Sequence, residues 1–257
     1  MKARKGQAGV KGNTGNAKSP KQKVHDAVVL AATTDFHVLR KVWHVVGGLG
    51  LAVGYGGWLS WTEGTIGLGV LFSLFAIFEL ARQRSAALNN IGLKVMGPLL
   101  RSHEASGLSG SFYFFMGAFV VVLLFPKPIA VLSLAYLSCG DPVASAAGIL
   151  CGRGPWSLKN GKSLCGALLG GLVCGLLTWY GLDLLYVTPT PYERLVVTAI
   201  GALVPGLTEL LTPAHRPRPF PTDDNFLIPI TSALALTAAA WLHALPAVPN
   251  TAYLLPA

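Results

Sequence analysis

Seven stretches of nearly uninterrupted apolar residues dominate the chain: Val42 to Trp61, Thr65 to Ala81, Ser111 to Phe125, Pro128 to Leu150, Leu164 to Leu184, Leu195 to Leu211 and Phe226 to Leu245. Each approaches the roughly 20 residues that a helix needs to cross about 30 Å of hydrocarbon. None alternates strictly between apolar and polar positions, as a barrel strand does. Helices satisfy their own backbone groups in lipid. The pattern therefore predicts an all-α, polytopic integral membrane protein with about seven transmembrane helices.

The polar remainder sorts the rest. Residues Met1 to Lys23 contain no apolar run and are rich in Lys, Gly, Ser and Asn, which predicts a disordered basic tail. A cleavable signal would place a short apolar core directly after such charges. Here Val24 to Leu39 is interrupted by His25, Asp26, Asp35 and His37 and reads as interfacial, so residues 24–257 are expected to form one membrane domain. Composition agrees: 52% of the residues are hydrophobic and only 12% charged, against roughly 25% charged in soluble proteins. With the N-terminus cytoplasmic and seven crossings, only Lys127 and Arg194 of the 20 basic residues fall outside, as the bias of basic residues toward the cytoplasm requires. The net charge of +9 then belongs to a face lying against anionic headgroups, with no nucleic acid partner.

Cys139, Cys151, Cys165 and Cys174 lie in or beside the runs without metal-ligand spacing and read as small packing residues. Gly166, Gly170, Gly171 and Gly175 are spaced for close helix approach.

Carboxylates inside apolar runs are costly and tend to be functional. Glu79, Asp141 and Glu209 each lie toward the cytoplasmic end of a run, and Asp223 and Asp224 open the last run on that side. Gly140-Asp141-Pro142 predicts a broken helix, with Asp141 as cap and Pro142 as first helical residue, lining a recessed polar pocket. Downstream come Gly148, Gly152, Arg153, Gly154 and the basic loop Lys159-Asn160-Gly161-Lys162-Ser163 ahead of the next helix. Helix N-terminal amides with a lysine and a serine hydroxyl suit a polyphosphate. The loop is not a Walker A motif, which requires glycine where Trp156 stands.

In this order, the residues resemble the CTP-dependent lipid kinases, a family that includes dolichol kinase, CTP-using diacylglycerol kinase and phytol kinase. The resemblance runs through Arg40, Lys41 and His44, then Glu79 and Arg82, then Arg101 and Glu104 ahead of Gly110. It continues through Gly140-Asp141-Pro142 with Ala144, Gly148, Gly152 and Arg153, then Lys162, Ser163 and Gly166. It ends with Glu209, Asp223-Asp224-Asn225 and Pro229. Cys165 and Ala167 depart from the acidic residue and small hydroxyl that the family favours there. More distantly, the segment from Asp141 to Ser163 resembles phosphatidate cytidylyltransferases.

The resemblance implies transfer of the CTP γ-phosphate to the hydroxyl of a membrane lipid alcohol, whether diacylglycerol, dolichol or another polyprenol, or phytol. CTP is then the co-substrate and Mg2+ or another divalent cation the cofactor. Phosphoryl transfer relies on positioning and charge neutralisation, and hard cations take carboxylate oxygens. Asp141, Asp223 and Asp224 are thus candidates for holding the metal, with Asn225 as an auxiliary ligand. Asp141 or Asp224 is instead the candidate to accept the hydroxyl proton, and Lys162 is a third catalytic candidate. Arg40, Lys41, Arg153 and Lys162, with Ser163 and Gly140, form the candidate nucleotide site. His44, Glu79, Arg82, Arg101, Glu104 and Glu209 are candidate supporting residues. Two alternatives stay open: cytidylyl transfer to phosphatidate, and a small membrane transporter.

Overall fold

A computed structural model of the chain describes residues 38–151, 155–185, 190–213 and 221–242. The expected basic tail, nearly all of the interfacial segment, and Gly152, Arg153 and Gly154 lie outside the described residues. The described chain is built of helices: α1 (Val38–Gly57), α2 (Trp61–Arg84), α3 (Ala86–Met96), α4 (Gly110–Leu124), α5 (Lys127–Leu150), α6 (Leu164–Leu185), α7 (Pro191–Leu211) and α8 (Asp224–Leu242). Two 3-10 turns, Gly97–Leu99 and Ser102–Ala105, join α3 to α4.

Within the described residues each of the seven apolar runs falls mainly on one helix, and α3 is an additional short one. Among the described residues, five helices (α2, α5, α6, α7 and α8) are long and apolar enough to cross a membrane. The other two runs fall short for different reasons. The 15 residues of α4 extend only about 22 Å at 1.5 Å per residue. α1 has the length but carries Arg40, Lys41 and His44 in its first turns. Val46, Val70, Leu74, Ile77, Leu172 and Leu203 project from the bundle with more than half of their surface exposed. An aqueous protein would not leave so much apolar surface uncovered, so the arrangement is that of a membrane protein.

Tyr55, Val121, Val122, Leu134, Tyr136, Leu137, Leu182 and Ile228 form the buried centre. α6 is wedged between α5 and α7 through the expected glycines. A Cβ on Gly170 would stand 2.9 Å from the Gly140 carbonyl oxygen, and one on Gly206 would stand 2.9 Å from that of Ala167. Any side chain there would drive the helices apart.

The helix does not break at Gly140-Asp141-Pro142. α5 runs continuously through it and widens into a π-turn over Tyr136–Gly140. Pro142 has no N–H to give back along the helix, and its ring would collide with a carbonyl in ordinary α winding; the π-turn accommodates both. Asp141 is therefore a helical residue (φ −61°, ψ −49°) and not a cap. The turn is pinned from α6, where Thr178 Oγ1 and Tyr136 Oη lie 2.7 Å apart.

The cysteines divide. Cys174 is buried, as a packing residue should be. Cys151 and Cys165, also expected only to pack, are instead joined in a disulfide between the end of α5 and the start of α6, with Cα atoms 6.5 Å apart, a separation suited to that bond.

Candidate active site

Three carboxylates from three helices meet at one end of the bundle. Asp141 comes from α5, Glu209 from the last turn of α7 and Asp224 from the first turn of α8, and each offers an oxygen within 4.8 Å of the others. Lys162 points into the group, its Nζ 2.5 Å from Glu209 Oε1 and 3.0 Å from Asp224 Oδ2. Burial alone would lower the Lys162 pKa, but the fields of Asp224, Glu209 and Asp141 outweigh it and hold the ammonium above its ordinary value. The lysine stays charged at neutral pH.

Local structure delivers Lys162 to this place. The segment from Trp156 to Leu164 folds back on itself, with Leu158 N–H donating to the Lys162 carbonyl at 2.8 Å and Leu164 N–H donating to that of Trp156 at 2.8 Å. Gly161 closes the bend at φ 83°, in the left-handed region that glycine occupies without cost. Asn160 fastens the bend to the next helix: its Nδ2 donates to the Leu210 carbonyl at 2.7 Å, while its Oδ1 accepts from Lys162 N–H at 3.0 Å. The Asn-Gly pair in the sequence is a turn signal that could have singled out Asn160, which was not among the expected site residues.

A second buried network sets the basic side. Arg82 grips Glu79 through two nitrogens, at 3.0 and 2.8 Å, and donates to the carbonyls of Glu104 and Gly107 at 3.1 and 2.7 Å. Ser109 N–H donates to Glu79 Oε2 at 3.1 Å. The loop before α4 is thus moulded onto an ion pair that is almost wholly buried. In turn Glu104 accepts from Arg40 Nη1 at 3.0 Å, and the same nitrogen donates to the Leu99 carbonyl at 2.7 Å. Burial would raise the Glu104 carboxyl, but Arg40 and Arg101 prevail and hold it below its ordinary pKa. Glu79, Arg82 and Glu104 thus form a chain of contacts that ends on Arg40.

Between the two networks lies a small polar cavity of about 50 Å³, lined by Arg40, Lys41, His44, Arg101, Asp141, Pro142 and Ser145. Three basic side chains face one carboxylate there, a setting made for an anion. Asp223 takes another part: its Oδ1 accepts from Asn225 N–H at 3.1 Å and from Asn225 Nδ2 at 2.8 Å at the start of α8. Gly140 packs against Cys174 and Gly170. The side chain of Arg153 lies outside the described residues.

The residues present fit a divalent cation. Asp141, Glu209 and Asp224 supply the hard oxygen donors that magnesium takes, and Glu209, expected as a supporting residue, is one of the three. Buried polar atoms of His44 (Nε2), Ser163 (Oγ) and Asn225 (Oδ1) have no hydrogen-bond partner, as in a site shaped for further polar groups.

No family model and no solved structure matches the chain. Curated proteins do. The chain is 31% identical over 169 residues to CTP-dependent diacylglycerol kinase 1 of Schizosaccharomyces pombe, a match spanning 62% of this chain and 72% of the relative. It is 27% identical over 216 residues to the protein of the same name from Eremothecium gossypii, spanning 78% of this chain and 66% of that one. With that of Saccharomyces cerevisiae it shares 25% identity over 182 residues, spanning 65% and 61%.

Proposed function

The chain belongs to the CTP-dependent lipid kinase family, and from that premise we propose that it transfers the γ-phosphate of CTP to the free hydroxyl of diacylglycerol at the cytoplasmic edge of a membrane. The observation that carries the reading is the meeting of Asp141, Glu209, Asp224 and Lys162 beside a cavity lined by Arg40, Lys41 and Arg101. Diacylglycerol is the acceptor named in the relatives. Seven crossings with the N-terminus inside remain the topology that the basic residues favour, since it puts this whole edge in the cytoplasm beside CTP. Single cysteines introduced by Lys127→Cys and Lys159→Cys, labelled from either side of sealed vesicles, test that orientation.

In this reading Arg40, Lys41 and Arg101 bind the triphosphate oxygens, and Lys162 leans from Glu209 and Asp224 toward the leaving diphosphate. Magnesium, held by Glu209 and Asp224, would supply neutralisation of the phosphate charge. Asp141 lines the polar cavity and Asp224 does not, so Asp141 takes the acceptor proton. The acceptor oxygen forms its bond to the γ-phosphorus as the bond from that phosphorus to the bridging oxygen breaks. CDP leaves with the electron pair, and the hydroxyl proton resides on Asp141.

The test is incubation of the detergent-solubilised protein and its Asp141→Asn variant with magnesium and CTP labelled at the γ-phosphate. Diacylglycerol, a polyprenol, phytol and phosphatidate are offered separately. Label is expected in diacylglycerol with the native protein and not with the variant. Label in another alcohol would overturn the choice of acceptor, and pyrophosphate release with phosphatidate would overturn the kinase chemistry.

A further inference from the structure

Two large apolar cavities open along α1, and only one reaches the site. The first, of about 410 Å³, is lined by Leu49, Ala52, Val53 and residues of α5 and α6, and shares no residue with the polar cavity. The second, of about 400 Å³, lies between α1, α2 and α4 and is walled by Trp43, Gly47, Leu51, Leu71, Phe114 and Phe115. Its polar lining includes Arg40 and His44, which also line the polar cavity beside Asp141. Hydrocarbon wall and phosphate-binding wall are thus continuous through two side chains. Trp43 and Leu71 stand at its rim with about half of their surface uncovered, so the cavity is reached from the apolar flank of the bundle.

His44 marks the join. Its ring packs edge-on against Phe114, with centroids 5.2 Å apart, and is only 7% exposed. Its buried Nε2 has no hydrogen-bond partner. A buried imidazole nitrogen left without a partner is destabilising, a cost that a hydroxyl delivered along the apolar wall would remove.

We propose that the cavity between α1, α2 and α4 is the acceptor pocket, in which an acyl chain of diacylglycerol lies against Gly47, Leu51, Leu71 and Phe115 and its hydroxyl is held by His44 Nε2 facing Asp141. The assignment rests on the lipid kinase reading above and adds where the acceptor lies and which residue positions it. His44 is a positioning residue that donates its Nε2–H to the hydroxyl oxygen, which leaves the hydroxyl proton to Asp141. Gly47 has a definite part: a Cβ there meets nothing nearer than Trp43 at 4.0 Å, so the absent side chain leaves room for hydrocarbon. Gly48, one residue on, is by contrast closed by Ser138 and Phe114 and serves helix packing.

This difference supplies the test. Gly47→Leu fills the pocket without a backbone clash, and Gly50→Leu, on the same helix with nothing within 4 Å of its Cβ, is the matched control. A diacylglycerol bearing a photoactivatable acyl chain is irradiated with the purified full chain, and the attached peptides are identified by mass spectrometry. Attachment is expected on α1 around Trp43 to Leu51 and on α4 at Phe114 and Phe115, competed by unlabelled diacylglycerol, lost in Gly47→Leu and kept in Gly50→Leu. Turnover runs in parallel. Gly47→Leu raises KM for diacylglycerol at least about tenfold, within the range for a misfitted apolar pocket, and leaves KM for CTP unchanged. His44→Phe lowers kcat with the same attachment pattern, and His44→Gln, which keeps an N–H donor, recovers part of it. Attachment elsewhere, or attachment unchanged by Gly47→Leu, overturns the pocket whatever the turnover. Correct attachment without phosphorylation of the lipid would overturn the kinase reading and leave the pocket standing.

Discussion

Replacing Lys162 with methionine keeps the length of the side chain and removes its charge, which strands the carboxylates around it. The ammonium is 2.5 Å from one buried carboxylate and 3.0 Å from another, with a third carboxylate in the same group. Removing one partner of a buried ion pair costs about 3–5 kcal/mol, because the remaining charge stays buried and uncompensated. Taking the lower figure, at about 2–4 °C per kcal/mol for a chain of this size, Lys162→Met should melt roughly 6–12 °C below the native protein in a detergent thermal-shift assay. Magnesium added at millimolar concentration should recover more of that loss than it adds to the native protein, because the carboxylates then have only the cation to neutralise them. The double variant Lys162→Met, Glu209→Gln should regain part of the stability and remain inactive, since one of the stranded carboxylates is then neutral while Asp224 and Asp141 stay uncompensated. Equal melting of Lys162→Met and the native protein, with no larger response to magnesium, would refute the view that Lys162 neutralises a cation-binding group.

Arg82→Lys cannot reproduce the paired contacts to Glu79 and the two loop carbonyls; it should cost about 3 kcal/mol and raise KM for CTP through the loosened Arg40. Asn160→Ala removes the bond to the end of α7 and the one from Lys162 N–H, about 1 kcal/mol each, so the melting temperature should fall about 4–8 °C and kcat should fall as Lys162 loses its position. Glu104 has a lowered pKa in the fold, so its stabilisation is complete above the ordinary carboxyl pKa of about 4.3 and is lost as pH falls through the lower folded value. The acid limb of a melting-temperature profile should therefore flatten in Glu104→Gln.

What was legible in the sequence was what lipid makes expensive. Glu79, Asp141 and Glu209 stand out because a carboxylate in an apolar run needs a reason, and each has charged or polar company in the structure. The positions of the helices were legible for the same cause. The relations between helices were not. That Glu209 would join Asp141 and Asp224 depends on how α5, α7 and α8 are rotated, which no spacing within one run records. The loop from Gly97 to Ser109 reads as a polar connection, yet it is folded around the Arg82 ion pair by bonds to its backbone carbonyls, and those leave little trace in residue types. Pro142 does disturb the helix, but a proline specifies only a missing donor and a clash; a break and a π-turn answer both equally well.

The π-turn has a further meaning when the helix is regarded as a matter of phase. A π-turn amounts to one additional residue wound into an α-helix, and each residue turns the helix by about 100°. Asp141 comes directly after Tyr136–Gly140, so its bearing on the other carboxylates depends on that additional residue. Deleting one residue between Tyr136 and Gly140 would force regular winding onto a segment whose Pro142 lacks a donor and clashes in it, so the Asp141 carboxylate would lose its place against Glu209 and Asp224. Such a deletion should yield a protein that inserts in the membrane and lacks activity. Within this segment the number of residues, more than their identity, sets the aim of the site.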